Sequence, residues 1–106
     1  MAQPIYKVWF MKYKEPWYKL TKEEQKELVA KNTESSKQVG SELIMMRFSA
    51  WSSEDWDIWG VEKYPDIEAV QKQAMNLFEM NWFEYIESKT YLGVEMPPAW
   101  LADLLS

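Results

Sequence analysis

The chain has 106 residues, enough for one domain, and its formal net charge of −5 argues against binding driven by a nucleic-acid backbone. It contains no cysteine and no histidine, which excludes disulfides, thiolate chemistry, the usual zinc and haem ligands and every catalytic relay built on histidine. The chain lacks both the run of roughly 20 apolar residues that spans a membrane and an apolar N-terminal signal core, so we expect a cytoplasmic protein that uses no metal, cofactor or membrane.

The first part of the chain predicts a strand, a helix and a second strand. Residues 4–14 are rich in aromatic and β-favouring side chains, which is typical of a strand. Thr21 and Glu24 have the spacing of a capping box, so a helix is predicted over residues 22–39. Residues 41–51 predict the second strand.

The second part of the chain predicts a hairpin strand, a helix and a final strand. A short polar turn at 52–54 leads to a strand over 55–64, and this short connection indicates an antiparallel hairpin. Asp66 can cap a helix that ends near residue 81, and residues 84–95 alternate as a strand does. The order β-α-β-β-α-β predicts an α+β, ferredoxin-like fold, in which a four-stranded antiparallel sheet carries both helices on one face.

Residues 1–96 are therefore predicted to form the domain, and residues 97–106 a tail with one or two helical turns. Such a helix is too short to be stable alone. We therefore expect it to pack on its own domain or on a partner subunit through four apolar side chains: Trp100, Leu101, Leu104 and Leu105.

One face of the predicted sheet carries no helix. Alternation places Met45, Arg47 and Trp51 of the second strand on this face, and neighbouring strands are expected to add Trp9 and Trp59. An apolar surface of this size needs a cover. We therefore predict a homodimer, sheet against sheet, with Met45, Trp51 and Trp9 in the interface.

The element order and residues 57–70 resemble the dimeric α/β-barrel superfamily. Its members often carry a Trp-containing strand that leads into a Tyr-Pro-(Ser/Asp)-x-Glu-Ala helix start, here Tyr64 to Ala69. The resemblance implies a barrel of two sheets that holds small organic ligands in the barrel or between sheet and helices. Members include cofactor-independent monooxygenases, isomerases and haem-degrading enzymes. Without histidine, this chain lacks the usual haem ligand and the acid–base residue of other members, so the resemblance implies a fold and not a reaction.

The first predicted helix has a polar centre on one stripe. Leu28, Asn32, Ser36 and Val39 share that stripe with Ser35, whereas a helix packed on a sheet normally presents apolar residues there. One hypothesis is a ligand cleft between helix and sheet, edged by Asn32, Ser36 and Tyr6. The alternative is that the stripe faces solvent.

Two further side chains are candidates for ligand contacts. Arg47, the single arginine, is predicted on the barrel side, where it requires Asp57, Glu87 or a ligand anion as its partner. Trp59 is a candidate aromatic wall, although most tryptophans fill cores and interfaces.

Two functional hypotheses follow from these residues. The leading one is a homodimeric barrel that binds a small apolar or aromatic molecule through Asn32, Ser36, Tyr6, Arg47 and Trp59. The alternative is a cofactor-independent monooxygenase or isomerase of a conjugated aromatic or dienolate substrate, whose catalytic residues the sequence does not identify.

Overall fold

A computed structural model describes residues 2–106 and confirms the ferredoxin-like α+β fold. The elements in chain order are β1 (Ile5–Tyr13), α1 (Glu15–Tyr18), α2 (Lys22–Gln38), β2 (Glu42–Phe48), β3 (Ile58–Tyr64), α3 (Ile67–Glu79), α4 (Trp82–Tyr85), β4 (Ile86–Gly93) and α5 (Pro98–Leu105). The strands form one sheet in the order β2-β3-β1-β4, and all neighbours are antiparallel.

Both long helices begin at side-chain caps that the sequence predicts. Thr21 Oγ1 accepts a hydrogen bond from the backbone N–H of Glu24, whose side chain accepts one from the N–H of Thr21. Asp66 caps α3 by accepting from the N–H of Ala69 at 2.8 Å. These contacts satisfy N–H groups that a helix leaves unpaired at its start.

The connection between β2 and β3 is longer than the predicted turn. Residues 49–57 form a loop because polar groups near Ser49 make local hydrogen bonds that compete with strand pairing. The N–H groups of Ser49 and Ala50 both donate to the carbonyl of Asp57, and Ser53 Oγ accepts from the N–H groups of Asp55 and Trp56. The antiparallel pairing of β2 with β3 is nevertheless confirmed.

Two short helices, α1 and α4, do not appear in the predicted element order. Pro16 lies in the first turn of α1, where its missing N–H would be unpaired in any case. α4 follows Asn81, which has a left-handed φ of 58° that asparagine tolerates better than most residues. Each helix places one tryptophan, Trp17 or Trp82, in the main core with Leu28, Leu77 and Ile86.

The face of β1 that packs under the helices is the one with odd-numbered residues. Ile5 belongs to a core cluster with Tyr64 and Ala69, and Met11 packs against the main core. Trp9 lies on the same face, opposite Gly60. The predicted assignment of Trp9 to the helix-free face was therefore wrong, because both faces of β1 are apolar and alternation could not decide between them.

A β-bulge in β2 changes the face of one further residue. The pairing register shifts between Leu43 and Met45, so Leu43 lies opposite Glu62, on the helix side, whereas regular alternation with Met45 would place it on the helix-free face. Met45 and Arg47 lie opposite Val61 and Trp59, on the predicted face.

The molecule is flat, with principal extents of 52 × 34 × 17 Å and a radius of gyration of 15.8 Å. A compact domain of this length has a radius of gyration of about 13 Å. Helix α5 accounts for part of the difference, since it has no buried residue. Most of the predicted tail forms the helix α5, and the docking of this helix stays a prediction. No helix within residues 2–106 is long and apolar enough to cross a membrane.

Candidate ligand-binding site

Asn32 and Ser35 of the polar stripe of α2 face α3 and not a cleft. Gln73 of α3 is buried, and its Nε2 donates to Asn32 Oδ1 at 2.9 Å while Ser35 Oγ donates to its Oε1. Asn76 Nδ2 donates to Ser35 Oγ at 2.9 Å. Asn32 is thus a structural partner of Gln73, which neither the cleft hypothesis nor the solvent alternative anticipated.

Ser36, at the C-terminal end of α2, does lie against the sheet. Its hydroxyl donates to Glu62 Oε2 at 3.3 Å and shares a hydrogen bond with the hydroxyl of Ser41. Tyr64 OH donates to the other carboxylate oxygen of Glu62 at 3.4 Å. Burial, together with the charge of Glu62, raises the pKa of the fully buried Tyr64, which therefore stays a neutral donor at physiological pH.

Lys7 adds a positive charge to this polar group. It lies directly opposite Glu62 in the β1–β3 pairing, and its Nζ is 5.9 Å from the centre of the Tyr64 ring. Burial lowers the pKa of Lys7, and the charge of Glu62 offsets only part of this effect. Lys7, Glu62, Tyr64 and Ser36 thus form a polar cluster on the helix side of the sheet.

Trp9 lies next to Lys7 on this face, with its indole ring over Gly60. A Cβ atom at position 60 would be 2.4 Å from Trp9 Cζ2, so only glycine leaves room for the ring. Within residues 2–106, Trp9 Nε1 is the one buried side-chain polar atom without a hydrogen-bond partner. The large majority of buried side-chain polar atoms in proteins are paired, so this N–H is an exception that requires an explanation.

An exposed apolar strip borders Trp9 and Gly60 along β2. Met46 lies opposite Gly60 and Phe48 opposite Ile58, while Leu43 lies opposite Glu62. These three residues, the β2 strip, are 51%, 66% and 54% exposed, although they lie on the helix side. The β2 strip and, towards β1, Trp9, Lys7 and Glu62 share this face of the sheet. We call this surface the helix-side groove, with the strip as its apolar wall and the other three residues as its inner end.

The other face of the sheet, the open face, carries a different set of candidates. Its central rows are aromatic or aliphatic and consist of Val8, Phe10, Met45, Trp59, Val61 and Tyr91. Tyr6 also lies here and donates to Glu95 at 3.1 Å, so it does not edge a cleft under α2 as the cleft hypothesis required. Trp51 lies in the loop after β2, 79% exposed, and donates to the carbonyl of Phe48.

Arg47 is exposed at the margin of the open face and lacks the predicted carboxylate partner. Its Nη1 donates to the carbonyl of Met46 at 3.0 Å, and within residues 2–106 no ion pair forms with Asp57 or Glu87. Asp57 instead accepts from the backbone N–H of Tyr13 at 3.1 Å. The expected partnership fails because the loop between β2 and β3 turns Asp57 back towards β1.

The structure therefore separates the predicted ligand-binding residues. Ser36 is at the helix-side groove, Asn32 is in the α2–α3 contact, and Tyr6, Arg47 and Trp59 lie on the open face. Sequence analysis missed Lys7, Trp9 and Glu62 as members of one site. The i, i+2 spacing of Lys7 and Trp9 contained a signal, because a strand places such residues on one face.

Two other features of the surface carry no site. A depression of about 450 Å³ lies beside the N-terminal half of α2, but its walls, which include Trp17 and Val29, hold no unpaired buried polar atom among the described residues. Among residues 2–106, no group of three or more acidic, histidine or cysteine residues could hold a metal ion.

Comparisons with known proteins support the fold. No family model and no curated protein matches the sequence. Among solved structures, TA0507, described as a candidate chlorite dismutase, superposes with a TM-score of 0.72 at 19% identity, over 100% of this chain and 51% of that one. A variant of the chlorite dismutase from Candidatus Nitrospira defluvii has a TM-score of 0.74 at 13% identity, over 96% of this chain and 44% of that one.

The chain shares with these neighbours the ferredoxin-like α+β fold, a four-stranded antiparallel sheet with helices. The chain spans about half of the length of each neighbour. At such low identity the likeness concerns the fold alone.

Proposed function

We propose that the protein is a homodimer whose helix-side groove binds a small apolar or aromatic molecule. The observation that carries the proposal is the buried Trp9 Nε1, which has no acceptor and lies beside the exposed β2 strip. A ligand that lies along the strip and accepts from this N–H satisfies both features, because it covers apolar surface and completes a buried hydrogen bond.

The homodimer is supported by the open face. Val8, Phe10, Trp59, Val61 and Tyr91 belong to a sheet face that no helix of this chain covers. A second copy laid against this face would bury it. The tail favours the same arrangement. The hydrogen bond from Tyr6 to Glu95 holds the chain at the open face just before α5 begins, so α5 starts next to the surface that a second copy would cover.

The reaction named for the neighbours is not proposed for this chain. Haem-degrading members of the superfamily use a histidine ligand, and this sequence has no histidine and no cysteine. The residues of the groove therefore do not fit a haem held in that way. What the groove offers is hydrogen-bond donors, one carboxylate and an apolar wall.

Isothermal titration with naphthamide, an aromatic probe with a neutral carbonyl acceptor, tests the binding proposal. We expect saturable binding with one site per chain, and about fivefold weaker binding to Trp9→Phe, which keeps an aromatic ring and loses the N–H. Trp100→Phe is the matched control, because Trp100 is 67% exposed on α5, and it should bind as the wild type does. Absence of binding to the wild type, or equal loss in both variants, would contradict the proposal.

A further inference from the structure

Lys7 and Trp9 present two donor side chains on the same face of β1, at the inner end of the groove. They are two residues apart on one face of β1, which separates their Cα atoms by about 7 Å. The indole N–H has no acceptor, and among residues 2–106 no carboxylate comes within 4.0 Å of the ammonium. The inner end of the groove thus offers two hydrogen-bond donors that have no acceptor among the described residues.

Glu62 does not fill the role of that acceptor. It faces Lys7 across the strand pair, but its two oxygens accept from Ser36 Oγ and Tyr64 OH. Burial lowers the pKa of Lys7 in spite of the charge of Glu62, so the ammonium loses more solvation than this carboxylate replaces. The charge at Lys7 thus remains only partly compensated.

We infer that the ligand of the groove carries a carboxylate, which accepts from Trp9 Nε1 and pairs with the Lys7 ammonium while the aromatic or aliphatic body lies on the β2 strip. This inference rests on the proposed ligand-binding function and adds the chemical class of the ligand. A carboxylate has two oxygens that can serve two donors, and hydrogen bonds to charged groups are stronger than neutral ones. The open side of the groove, at Leu43, Met46 and Phe48, leaves room for the body of the molecule.

Three naphthalene probes of equal size test the ligand class: naphthoate, the neutral naphthamide and the cationic naphthylmethylamine. For the wild type we expect naphthoate to bind about tenfold more tightly than naphthamide, and the amine to bind least. Lys7→Met should abolish the preference for naphthoate, because it weakens naphthoate binding more than naphthamide binding. Lys89→Met is the matched control, because Lys89 is also a strand lysine near a tyrosine ring but lies on the open face, and it should keep the preference.

The outcomes separate the inference from the proposed function. Equal affinity of the wild type for naphthoate and naphthamide overturns the carboxylate and leaves the groove intact. Binding of neither probe overturns both. The ratio of naphthoate to naphthamide affinity in the wild type tests the carboxylate by itself, so the test does not depend on the folding of Lys7→Met. If both lysine variants lose the preference equally, the attraction comes from general surface charge, and the assignment to Lys7 is wrong.

Discussion

The two faces of the sheet differ in what their polar groups lack. On the helix side, hydrogen bonds satisfy Glu62, Tyr64 and Ser36, whereas Trp9 and Lys7 retain unused donors next to an exposed apolar strip. On the open face, the centre is apolar and the charged residues lie at its margins. They include Arg47, Glu87 and Lys89 on the edge strands and Lys12 and Lys63 near the ends of the central strands. The open face, whose apolar centre is uncovered, suits a flat partner such as a second sheet. The helix side has an uncovered apolar strip and also donors without an acceptor, which suits a small molecule.

The largest expected effect is the loss of the dimer when the open face is altered. Tyr91 is 55% exposed in the single chain, so Tyr91→Asp should leave the monomer folded but place an unpaired charge in the dimer interface. We expect the variant to be monomeric at micromolar concentration by light scattering. Tyr18→Asp alters a tyrosine of similar exposure, 67%, on α1 and should remain a dimer. If both variants are dimeric, the open face is not the interface.

The tail gives the next largest effect if it packs on the partner. Its apolar side chains, Trp100, Leu104 and Leu105, are 67% to 76% exposed in the single chain, so deleting residues 97–106 removes no intrachain core. We expect dimer dissociation to become at least about tenfold easier, since apolar area buried at an interface is lost. Sedimentation equilibrium measures this, with Asp103→Asn as the control that keeps the tail. An unchanged dissociation constant would show that α5 does not contact the partner.

The close packing of Trp9 on Gly60 can be broken by a single methyl group. Gly60→Ala forces the indole away from the sheet and should lower the free energy of unfolding by about 2 to 3 kcal/mol. Gly93→Ala is a control in the same sheet, because a Cβ there meets no atom within 4 Å. Chemical denaturation of the two variants measures the difference. Similar stability of both would mean that Trp9 does not rest on Gly60.

Asn32→Leu distinguishes the α2–α3 contact from a cleft. The substitution leaves the buried Gln73 Nε2 without its acceptor, which should cost about 1 to 2 kcal/mol of stability. Glu34→Leu, an exposed change on the same helix, should alter stability by less than about 0.5 kcal/mol. A stabilised Asn32→Leu protein in denaturant titrations would indicate empty space at this position and favour the cleft instead.

The smallest effect concerns the charge of Lys7 in the unliganded protein. Because burial lowers its pKa, Lys7 holds its proton less tightly in the folded than in the unfolded state. Its contribution to the free energy of unfolding therefore improves as pH rises towards the ordinary lysine pKa of about 10.4. Lys7→Met should be more stable than the wild type at pH 7 by up to about 1 kcal/mol, with a smaller difference near pH 10.

Thermal denaturation across that pH range measures the gap between the two proteins. Tyr64 has a raised pKa and also affects stability above pH 10, so the comparison is made between pH 7 and pH 10. A gap that widens with pH would contradict the account of Lys7.

The sequence predicted the fold better than the site, and the reasons are local. The capping box at Thr21 and the cap at Asp66 are short-range signals, and both are confirmed. The face of Trp9 depends on the pairing of β1 with β3, and β1 has apolar residues on both sides. The β-bulge that turns Leu43 to the helix side likewise leaves no clear mark in the sequence.

The polar stripe of α2 shows the same limit in another form. Asn32 and Ser35 are unusual in a packed helix, which the sequence analysis recognised, but their partner Gln73 is far along the chain. Polar residues on one helix cannot tell a cleft from a contact with a second helix. The partners that decide the matter, like Glu62 for Ser36, are set by the tertiary structure.

The central claim is that the two faces act separately: the open face holds the partner copy and the helix side holds the ligand. The most direct test measures mass and naphthamide affinity for the wild type and Tyr91→Asp at the same concentration. The account predicts a dimer and a monomer of 12.7 kDa, respectively, with the same affinity per chain. A wild-type monomer, or loss of naphthamide binding together with the dimer, would contradict it.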